Sequence, residues 1–390
     1  MRLIPTAEAM KTGGEHQETA AHIAYMRRCL AVAENGRGAV SPNPMVGCLI
    51  VHDGRIIAEG YHRQYGGPHA EVEAIENARA RGLSHLFPES TLYVSLEPCS
   101  HYGKTPPCAV KVADSGFKRV VVACEDPNPA VSGRGIALLR EKGIDVITGV
   151  LADEARFLNR RFMVYISGRR PYVILKWAQT TDGFIAPAGG QSPCAVTDAR
   201  MQVENHKLRA QEDAIWVGAH TLLTDNPRLD PRLYYGRPPM RVAMDFRGGL
   251  PHTLHFFNGS QPTLLFTTAA LAAGAYADLQ ARVTLVPVPE AEQASPWRFI
   301  LTRLAEAGIA SVVVEGGARL LQQLMAAGCY DEVRVFESAR RMETGYAAPA
   351  LPDGLQAYRP DLVYPATTAY PVAQRIHYYL RPAAGKNSRL

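Results

Sequence analysis

The run Gly67-Pro68-His69-Ala70-Glu71, with Cys99 and Cys108 further along the chain, decides the fold of the first half of this protein. It offers one imidazole, one carboxylate and two thiols. A catalytic zinc site uses three protein ligands of these kinds and leaves its fourth position to water. His69, Cys99 and Cys108 are therefore the predicted zinc ligands. Glu71, two residues after the histidine, is predicted to be the catalytic residue that carries protons.

The local pattern around these residues favours a metal site. Pro68 suits the start of a helix, so the histidine and the glutamate are predicted to lie in its first turn. The run Thr91-Leu92-Tyr93-Val94-Ser95-Leu96 predicts a buried strand that ends just before Cys99. Pro106-Pro107 predicts that another helix begins around Cys108. Zinc deaminases of nucleobases use this ligand set with a non-ligand Glu.

The alternative to a catalytic zinc site is a pair of structural cysteines beside an unrelated surface histidine. A structural zinc site would need a fourth protein ligand, and no Cys or His is as clearly placed for that role.

Length and composition indicate a two-domain globular protein. The chain has 390 residues, of which 47% are hydrophobic and 20% charged, enough for two cores of ordinary size. The formal charge of +5 is slight for this length. It suits an anionic small-molecule substrate and argues only weakly for a nucleic-acid partner.

Cysteine usage predicts a reducing compartment. Seven cysteines is an odd number with no disulfide framework in its spacing, so we expect a cytoplasmic protein. Residues 1–20 are predicted to be a flexible leader and residues 383–390 a tail. No apolar run reaches membrane-spanning length.

Strands alternate with helices in both halves, which predicts two α/β domains. The first, a zinc domain over 21–167, ends near Ser167-Gly168-Arg169-Arg170-Pro171. In this domain Asn43 lies between two prolines. It is either only a turn-forming residue or an amide that binds the edge of a heterocycle beside the metal.

The second domain, over 168–382, carries two strand-to-helix junctions. Val312–Gly317 ends in two glycines, where a phosphate could approach backbone N–H groups, and Gly218–Asp225 is the second junction. Neither has the spacing of the Rossmann fingerprint, so a different nucleotide fold is implied. Arg209 and Arg232 are either phosphate-binding groups or ordinary surface arginines.

Taken together, these motifs resemble the bifunctional deaminase–reductase family of riboflavin biosynthesis, from about residue 21 to residue 380. The carriers in the first domain are Ser41–Gly47, Gly67–Glu71, Leu96–His101, Gly103–Cys108 and Asp126–Pro129. Those in the second are Leu175-Lys176, Thr181–Gly183, Leu208–Ala210, Thr221, Asp225–Leu229 and Glu315–Gly317. Eight residues separate the two cysteines, whereas cytidine and tRNA-adenosine deaminases place two there.

The resemblance implies a cytidine-deaminase-like zinc domain followed by a dihydrofolate-reductase-like domain. The first would remove the 2-amino group of a diaminopyrimidinone ribosylamine 5′-phosphate, and the second would reduce the ribosyl group to ribityl with NADPH. The expected partners are phosphorylated pyrimidines and further copies of the chain, with neither nucleic acid nor membrane.

The resemblance also assigns residues in the second domain. The predicted cofactor contacts are Ala178, Ala195, Thr221, Asp225 and Gly317. The predicted substrate contacts are Arg209, Leu229, Arg232 and Glu315, in addition to Asn43 in the first domain. The chain departs from the family near Ala195, where it reads Cys194-Ala195-Val196-Thr197 instead of a Trp-Ile-Thr run. Thr181 also replaces a usual apolar residue before Asp182.

Three other functions remain open from the sequence. A nucleic-acid-editing deaminase would share the zinc chemistry, but the chain lacks a basic stripe with interleaved aromatic residues. A non-catalytic protein held together by zinc would not need Glu71. A reductase with a decayed deaminase half is disfavoured because all four zinc-site residues are present.

Overall fold

The computed structural model describes residues 7–100, 106–129, 131–188, 196–369 and 371–382, with side chains from residue 18 onward. The chain divides into two compact units between Ser167 and Gly168. The predicted tail, 383–390, and the first six residues of the predicted leader lie outside the described residues.

The first unit is built from strands and helices in alternation. Short 3₁₀ helices lie at Glu34–Gly36 and Ser84–Glu89. The other elements are α1 (Ala7–Ala33), β1 (Gly47–His52), β2 (Arg55–Tyr61), α2 (Ala70–Ala80), β3 (Thr91–Val94), α3 (Cys108–Asp114), β4 (Arg119–Val122), α4 (Arg134–Glu141), β5 (Asp145–Thr148), α5 (Ala152–Leu158) and α6 (Arg160–Gly168).

Within the described residues the strands of this unit form one sheet in the order β2-β1-β3-β4-β5. β1 is antiparallel to β2 and β3, and β3, β4 and β5 are parallel. One face packs on α2 through Ala70, Ala74 and Ile75, all of them buried. Gly60 on β2 permits this close approach, because a Cβ there would overlap the backbone of α2. The helix that follows His69 is thereby fixed against the sheet.

Helix α1 begins at Ala7, within the residues that were predicted to be a flexible leader. The added segment contains Ala, Glu, Met, Lys and Gln, which are good helix formers. The Gly13-Gly14 pair obscured this pattern, since glycine disfavours helices. Further along α1, His22 Nδ1 lies 2.9 Å from the Tyr93 hydroxyl.

The second unit is a larger α/β arrangement. Short 3₁₀ helices lie at His255–Phe257, Ala277–Leu279 and Glu290–Glu292. The helices are α7 (Ala199–Gln211), α8 (Ala219–Asp225), α9 (Ala269–Ala273), α10 (Trp297–Glu306) and α11 (Ala318–Ala326). The strands are β6 (Tyr172–Thr180), β7 (Phe184–Pro187), β8 (Ala214–Gly218), β9 (Met240–Asp245), β10 (Thr263–Thr267), β11 (Thr284–Pro287), β12 (Ser311–Val314), β13 (Glu332–Ser338), β14 (Gly345–Ala347), β15 (Gln356–Ala357), β16 (Leu362–Tyr364) and β17 (Gln374–Leu380).

The main sheet of this unit, as far as the chain is described, runs in the order β11-β10-β9-β8-β12-β6-β13-β17-β15. Neighbouring strands from β11 to β13 are parallel, and β17 is antiparallel to β13. β16 also pairs with β17, and β14 pairs with β7. In a parallel sheet, sites form beyond the carboxyl ends of the strands, and here these include the ends of β8, β9 and β12.

Apolar side chains of the central strands form the core of the second unit. Val173, Trp216 and Val312 are buried in one cluster with Leu320 of α11. The N-cap of α7 is Asp198. The Asp198 carboxylate accepts backbone N–H groups from the first turn, a role in which aspartate is among the preferred residues. No helix in the described part of the chain has the length and apolar character needed to cross a bilayer.

Candidate active sites

The predicted zinc ligands come together in the first unit. His69 is the N-cap of α2, Cys108 begins α3, and Cys99 lies in the loop after β3. His69 Nδ1 is 3.2 Å from Cys108 Sγ and 3.7 Å from Cys99 Sγ. On a tetrahedral zinc with ordinary bond lengths, neighbouring nitrogen and sulfur ligands lie about 3.6 Å apart. The donor atoms therefore fit one zinc ion.

The electrostatics of the cluster suit a metal-binding thiolate. The backbone N–H of Cys108 donates to Cys99 Sγ over 3.3 Å. This thiol has its pKa lowered, first by the side chain of Cys108 and then by His69. His69 is exposed, Cys99 is half-buried and Cys108 is buried. The cluster thus has one side open to small molecules and another fixed in the protein.

Glu71 lies in the first turn of α2 and is 3% exposed. Burial raises the pKa of its carboxyl to about 7. A group with a pKa near neutrality can both accept and release a proton, as a general acid–base catalyst must. The structure thus places the predicted proton carrier on the same helix as His69.

Asn43 is joined to this site by a histidine that sequence reasoning missed. His62 Nδ1 is 2.9 Å from the Pro68 carbonyl oxygen, which can only accept, so this nitrogen carries the hydrogen. His62 Nε2 then accepts from Asn43 Nδ2 over 3.2 Å. The rings of His62 and His69 lie 5.5 Å apart. The one sequence signal for a partner of Asn43 was that His62 directly follows the predicted strand β2.

Glu97 is a second residue that the sequence did not single out, although it belongs to the Glu-Pro-Cys run. It is 4% exposed. Its carboxylate accepts backbone N–H groups from Asp126, Gly133, Gly135 and Ile136, at 2.9–3.2 Å. It therefore ties the chain just before Cys99 to the start of α4.

The second unit holds a buried ion pair between two predicted substrate residues. Arg209 on α7 donates through Nε and Nη2 to the two carboxylate oxygens of Glu315, over 2.9 and 2.7 Å. Asn205 also donates to Glu315 over 3.2 Å. Arg209 Nη1 donates to the Asp230 carbonyl oxygen over 3.3 Å. These bonds occupy most of the guanidinium that was expected to bind phosphate.

Lys176 is a charged residue inside a buried strand, and sequence reasoning did not assign it a role. It lies on β6 and is 8% exposed. It follows Leu175, which pairs with Val314 of the neighbouring strand β12. Burial lowers its pKa to about 8, opposed by the negative charge of Glu315. A lysine in an otherwise apolar run was the signal that could have identified it.

The other two predicted substrate residues lie in the segment after α8. Arg232 is half exposed and donates to Asp230 over 2.8 Å. Leu229 is buried, with a left-handed φ of 59°, and its carbonyl oxygen accepts from Gln261. The side chain of Leu229 thus packs in the core, so its backbone is the part suited to a ligand.

A cavity of about 430 Å³ lies beyond the carboxyl ends of β8, β9 and β12. Of the predicted cofactor residues, Thr221 and Gly317 line it. Ala178 lies on β6 opposite Phe336, and Asp225 ends α8, so neither lines the cavity. Ala195 lies outside the described residues.

Both units match known protein families. Residues 19–124 match the cytidine and deoxycytidylate deaminase zinc-binding region, and residues 171–339 match the RibD C-terminal domain. The predicted order of a deaminase domain followed by a reductase domain is confirmed. The cofactors are zinc for the deaminase and NADPH for the reductase.

Curated relatives share this arrangement over most of their length. The riboflavin biosynthesis protein RibD of Bacillus amyloliquefaciens is 40% identical over 344 residues, which cover 85% of this chain and 87% of the relative. RibD of Escherichia coli is 36% identical, covering 80% of this chain and 86% of the relative.

Solved structures agree. A diaminohydroxyphosphoribosylaminopyrimidine deaminase/5-amino-6-(5-phosphoribosylamino)uracil reductase from Thermotoga maritima is 36% identical with a TM-score of 0.81, covering 93% of this chain and 99% of that one. RibD of Acinetobacter baumannii is 29% identical with a TM-score of 0.75, covering 93% and 100%. The resemblance inferred from the motifs is therefore confirmed, and the chain belongs to the RibD family of bifunctional deaminase–reductases of riboflavin biosynthesis.

Proposed function

We propose that this chain deaminates 2,5-diamino-6-ribosylamino-4(3H)-pyrimidinone 5′-phosphate and then reduces the product to 5-amino-6-(5-phosphoribitylamino)uracil. The observation that carries this proposal is the separation of two chemical clusters into two units. One holds a His/Cys/Cys set beside a buried glutamate, and the other holds a buried ion pair and a lysine. We assign deamination to residues 21–167 and reduction to residues 168–382.

In the deaminase unit we assign His69, Cys99 and Cys108 as the zinc ligands. Zinc held there supplies a Lewis acid that lowers the pKa of a water molecule. Glu71 takes one proton from the water that adds at C2 and delivers it to the ring nitrogen. It then takes the remaining proton of the new C2 hydroxyl and delivers it to the departing amine, as the C2 carbonyl forms. The C2–N bond breaks and ammonia leaves. Asn43, whose amide is oriented by His62, presents its oxygen to the heterocycle.

In the reductase unit the residues around Glu315 bind and orient the sugar. Glu315 is held by Arg209, which fixes the direction of its carboxylate. Lys176 holds a proton near the reacting sugar, and NADPH supplies the hydride. Arg232, more exposed than Arg209, is the better group for the substrate phosphate. We assign Leu229 to the substrate, and Ala178, Ala195, Thr221, Asp225 and Gly317 to the cofactor.

The proposal is tested by measuring ammonia release and NADPH oxidation separately on one purified protein. Glu71→Gln should abolish ammonia release while NADPH oxidation with the deaminated substrate continues. Arg209→Ala should abolish NADPH oxidation while ammonia release continues. If the alanine variant does not fold, Arg209→Lys is measured in its place. Glu76→Gln, an exposed residue of the same helix, is the matched control for Glu71. A wild-type protein that catalyses neither reaction would refute the proposed function.

We also propose that the protein is cytoplasmic and forms a homo-oligomer. The cysteines of the described residues form no disulfide, as a reducing compartment favours. Cell fractionation tests the location, and sedimentation at several protein concentrations tests the assembly. Recovery in an oxidising compartment would contradict the first, and a monomer at all concentrations would contradict the second.

A further inference from the structure

The cavity in the second unit has a basic residue at one end that the functions above do not use. Arg247 lines this cavity just after β9, next to Asp245 and Phe246. Its side chain is exposed. Among the described residues its guanidinium has no ion-pair partner. An arginine that is free of partners and faces a ligand cavity can bind an anionic group of that ligand.

Strand order indicates which part of a dinucleotide would reach Arg247. The sheet runs β9-β8-β12-β6. Lys176 lies on β6 and Glu315 follows β12, so the proposed site of hydride transfer lies on the β6 side of this strand order. Gly317 precedes α11, and this turn suits the pyrophosphate. The adenosine half of a cofactor bound in this way would extend toward β9, where Arg247 lies.

Asp245 decides between two kinds of adenosine recognition. In Rossmann folds an acidic residue binds the ribose hydroxyls of NADH, whereas an arginine accommodates the 2′-phosphate of NADPH. The same charge argument applies at a strand end of this different sheet. Asp245 is 6% exposed. Its carboxylate accepts the backbone N–H groups of Arg247, Gly248 and Gly249, at 2.8–3.1 Å, and the Tyr276 hydroxyl. The Asp245 carboxylate is thus occupied by these groups of the protein and is not directed at a ribose.

We propose that Arg247 binds the 2′-phosphate of the adenosine moiety and selects NADPH over NADH. The inference rests on the proposed reductase function and names a residue that sets its cofactor specificity. The turn bonded to Asp245 holds the backbone of Arg247 in place, so only the side chain has to be ordered when the phosphate binds.

Arg319 provides a matched comparison. It lies in the first turn of α11 and lines the same cavity, beside Gly317. There it would face the pyrophosphate, which NADPH and NADH share. Its loss should weaken both cofactors to the same degree, whereas loss of Arg247 should weaken only NADPH.

The first test measures binding without catalysis. Calorimetry on the full-length wild type, Arg247→Ala and Arg319→Ala uses adenosine 2′,5′-bisphosphate and adenosine 5′-monophosphate as probes. Arg247→Ala should weaken the bisphosphate by about tenfold or more, the scale of a lost charge-assisted contact, and change the monophosphate less than about twofold. Equal weakening of both probes, or of neither, would overturn the assignment.

The second test measures kcat/KM for NADPH and NADH with the deaminated pyrimidine. The NADPH/NADH ratio should fall about tenfold or more in Arg247→Ala and stay within about twofold in Arg319→Ala. An unchanged ratio in Arg247→Ala would overturn the inference. A wild type that oxidises neither cofactor would refute the reductase function, while the binding test would still decide the role of Arg247.

Discussion

Arg209 and Glu315 form a two-point ion pair in which Nε donates to Oε1 over 2.9 Å and Nη2 donates to Oε2 over 2.7 Å. Their side chains are 11% and 7% exposed. A bidentate pair this buried fixes the orientation of both groups. Its geometry indicates that Arg209 fixes the direction of the Glu315 carboxylate.

Breaking this pair should destabilise the second unit strongly. Arg209→Ala leaves the Glu315 carboxylate buried without its partner, which should lower the free energy of unfolding by about 3–5 kcal/mol. The three tryptophans are Trp177, Trp216 and Trp297, so their fluorescence during urea unfolding reports on this unit. Arg228→Ala, which breaks an exposed pair with Asp230, should cost at most about 1 kcal/mol. Similar losses in the two variants would contradict the argument.

Glu315 should also make the second unit sensitive to acid. The positive charge of Arg209 lowers the pKa of the Glu315 carboxyl from 4.5 to about 2, against the effect of burial. A carboxyl with a lowered folded pKa contributes stability above its unfolded pKa and loses it as pH falls through the folded value. Between pH 4.5 and about 2, wild type should therefore lose roughly 3 kcal/mol that Glu315→Gln does not lose. The free energy of unfolding is measured by tryptophan fluorescence at each pH. If it falls equally with pH in wild type and Glu315→Gln, the expectation is contradicted.

The reductase reaction should weaken in mild alkali if Lys176 acts as a proton holder. Burial lowers the pKa of Lys176 to about 8, so its protonated fraction falls as pH rises through that value. The kcat/KM of NADPH oxidation should fall over the same range. Lys176→Arg, which stays protonated, should keep a reduced but flat profile there. A wild-type profile that is flat from pH 7 to pH 9 would exclude this role.

Glu97 should stabilise the deaminase unit through its four backbone hydrogen bonds. Glu97→Gln replaces one accepting oxygen by a donor and leaves two buried N–H groups unpaired. Each such group costs about 1–3 kcal/mol. Ammonia release should therefore be lost at a lower temperature, while NADPH oxidation keeps its heat resistance. Glu89→Gln, at an exposed position of the same unit, is the control. Equal inactivation temperatures in wild type and Glu97→Gln would contradict the role.

The zinc cluster was predictable because its ligands lie at helix starts and a strand end that the local sequence defines. His69 and Cys108 occupy the predicted starts of α2 and α3. The partners of the site were not predictable, since contacts such as Asn43 with His62 depend on packing between distant segments. The same holds for the contact of Arg209 with Glu315, which joins segments far apart in the chain.

The metal site gives the last prediction. Cys99→Ser and Cys108→Ser each remove a thiolate from a three-ligand set, and a serine hydroxyl is a poor substitute for zinc. Zinc per chain, measured by atomic emission on purified protein, should fall at least about tenfold and ammonia release should fall with it. NADPH oxidation should be retained, because the reductase residues lie in the other unit. Cys329→Ser, a half-buried thiol of the second unit that donates to Ala327, is the matched control and should keep its zinc. Full zinc occupancy in either ligand variant would refute the assigned coordination.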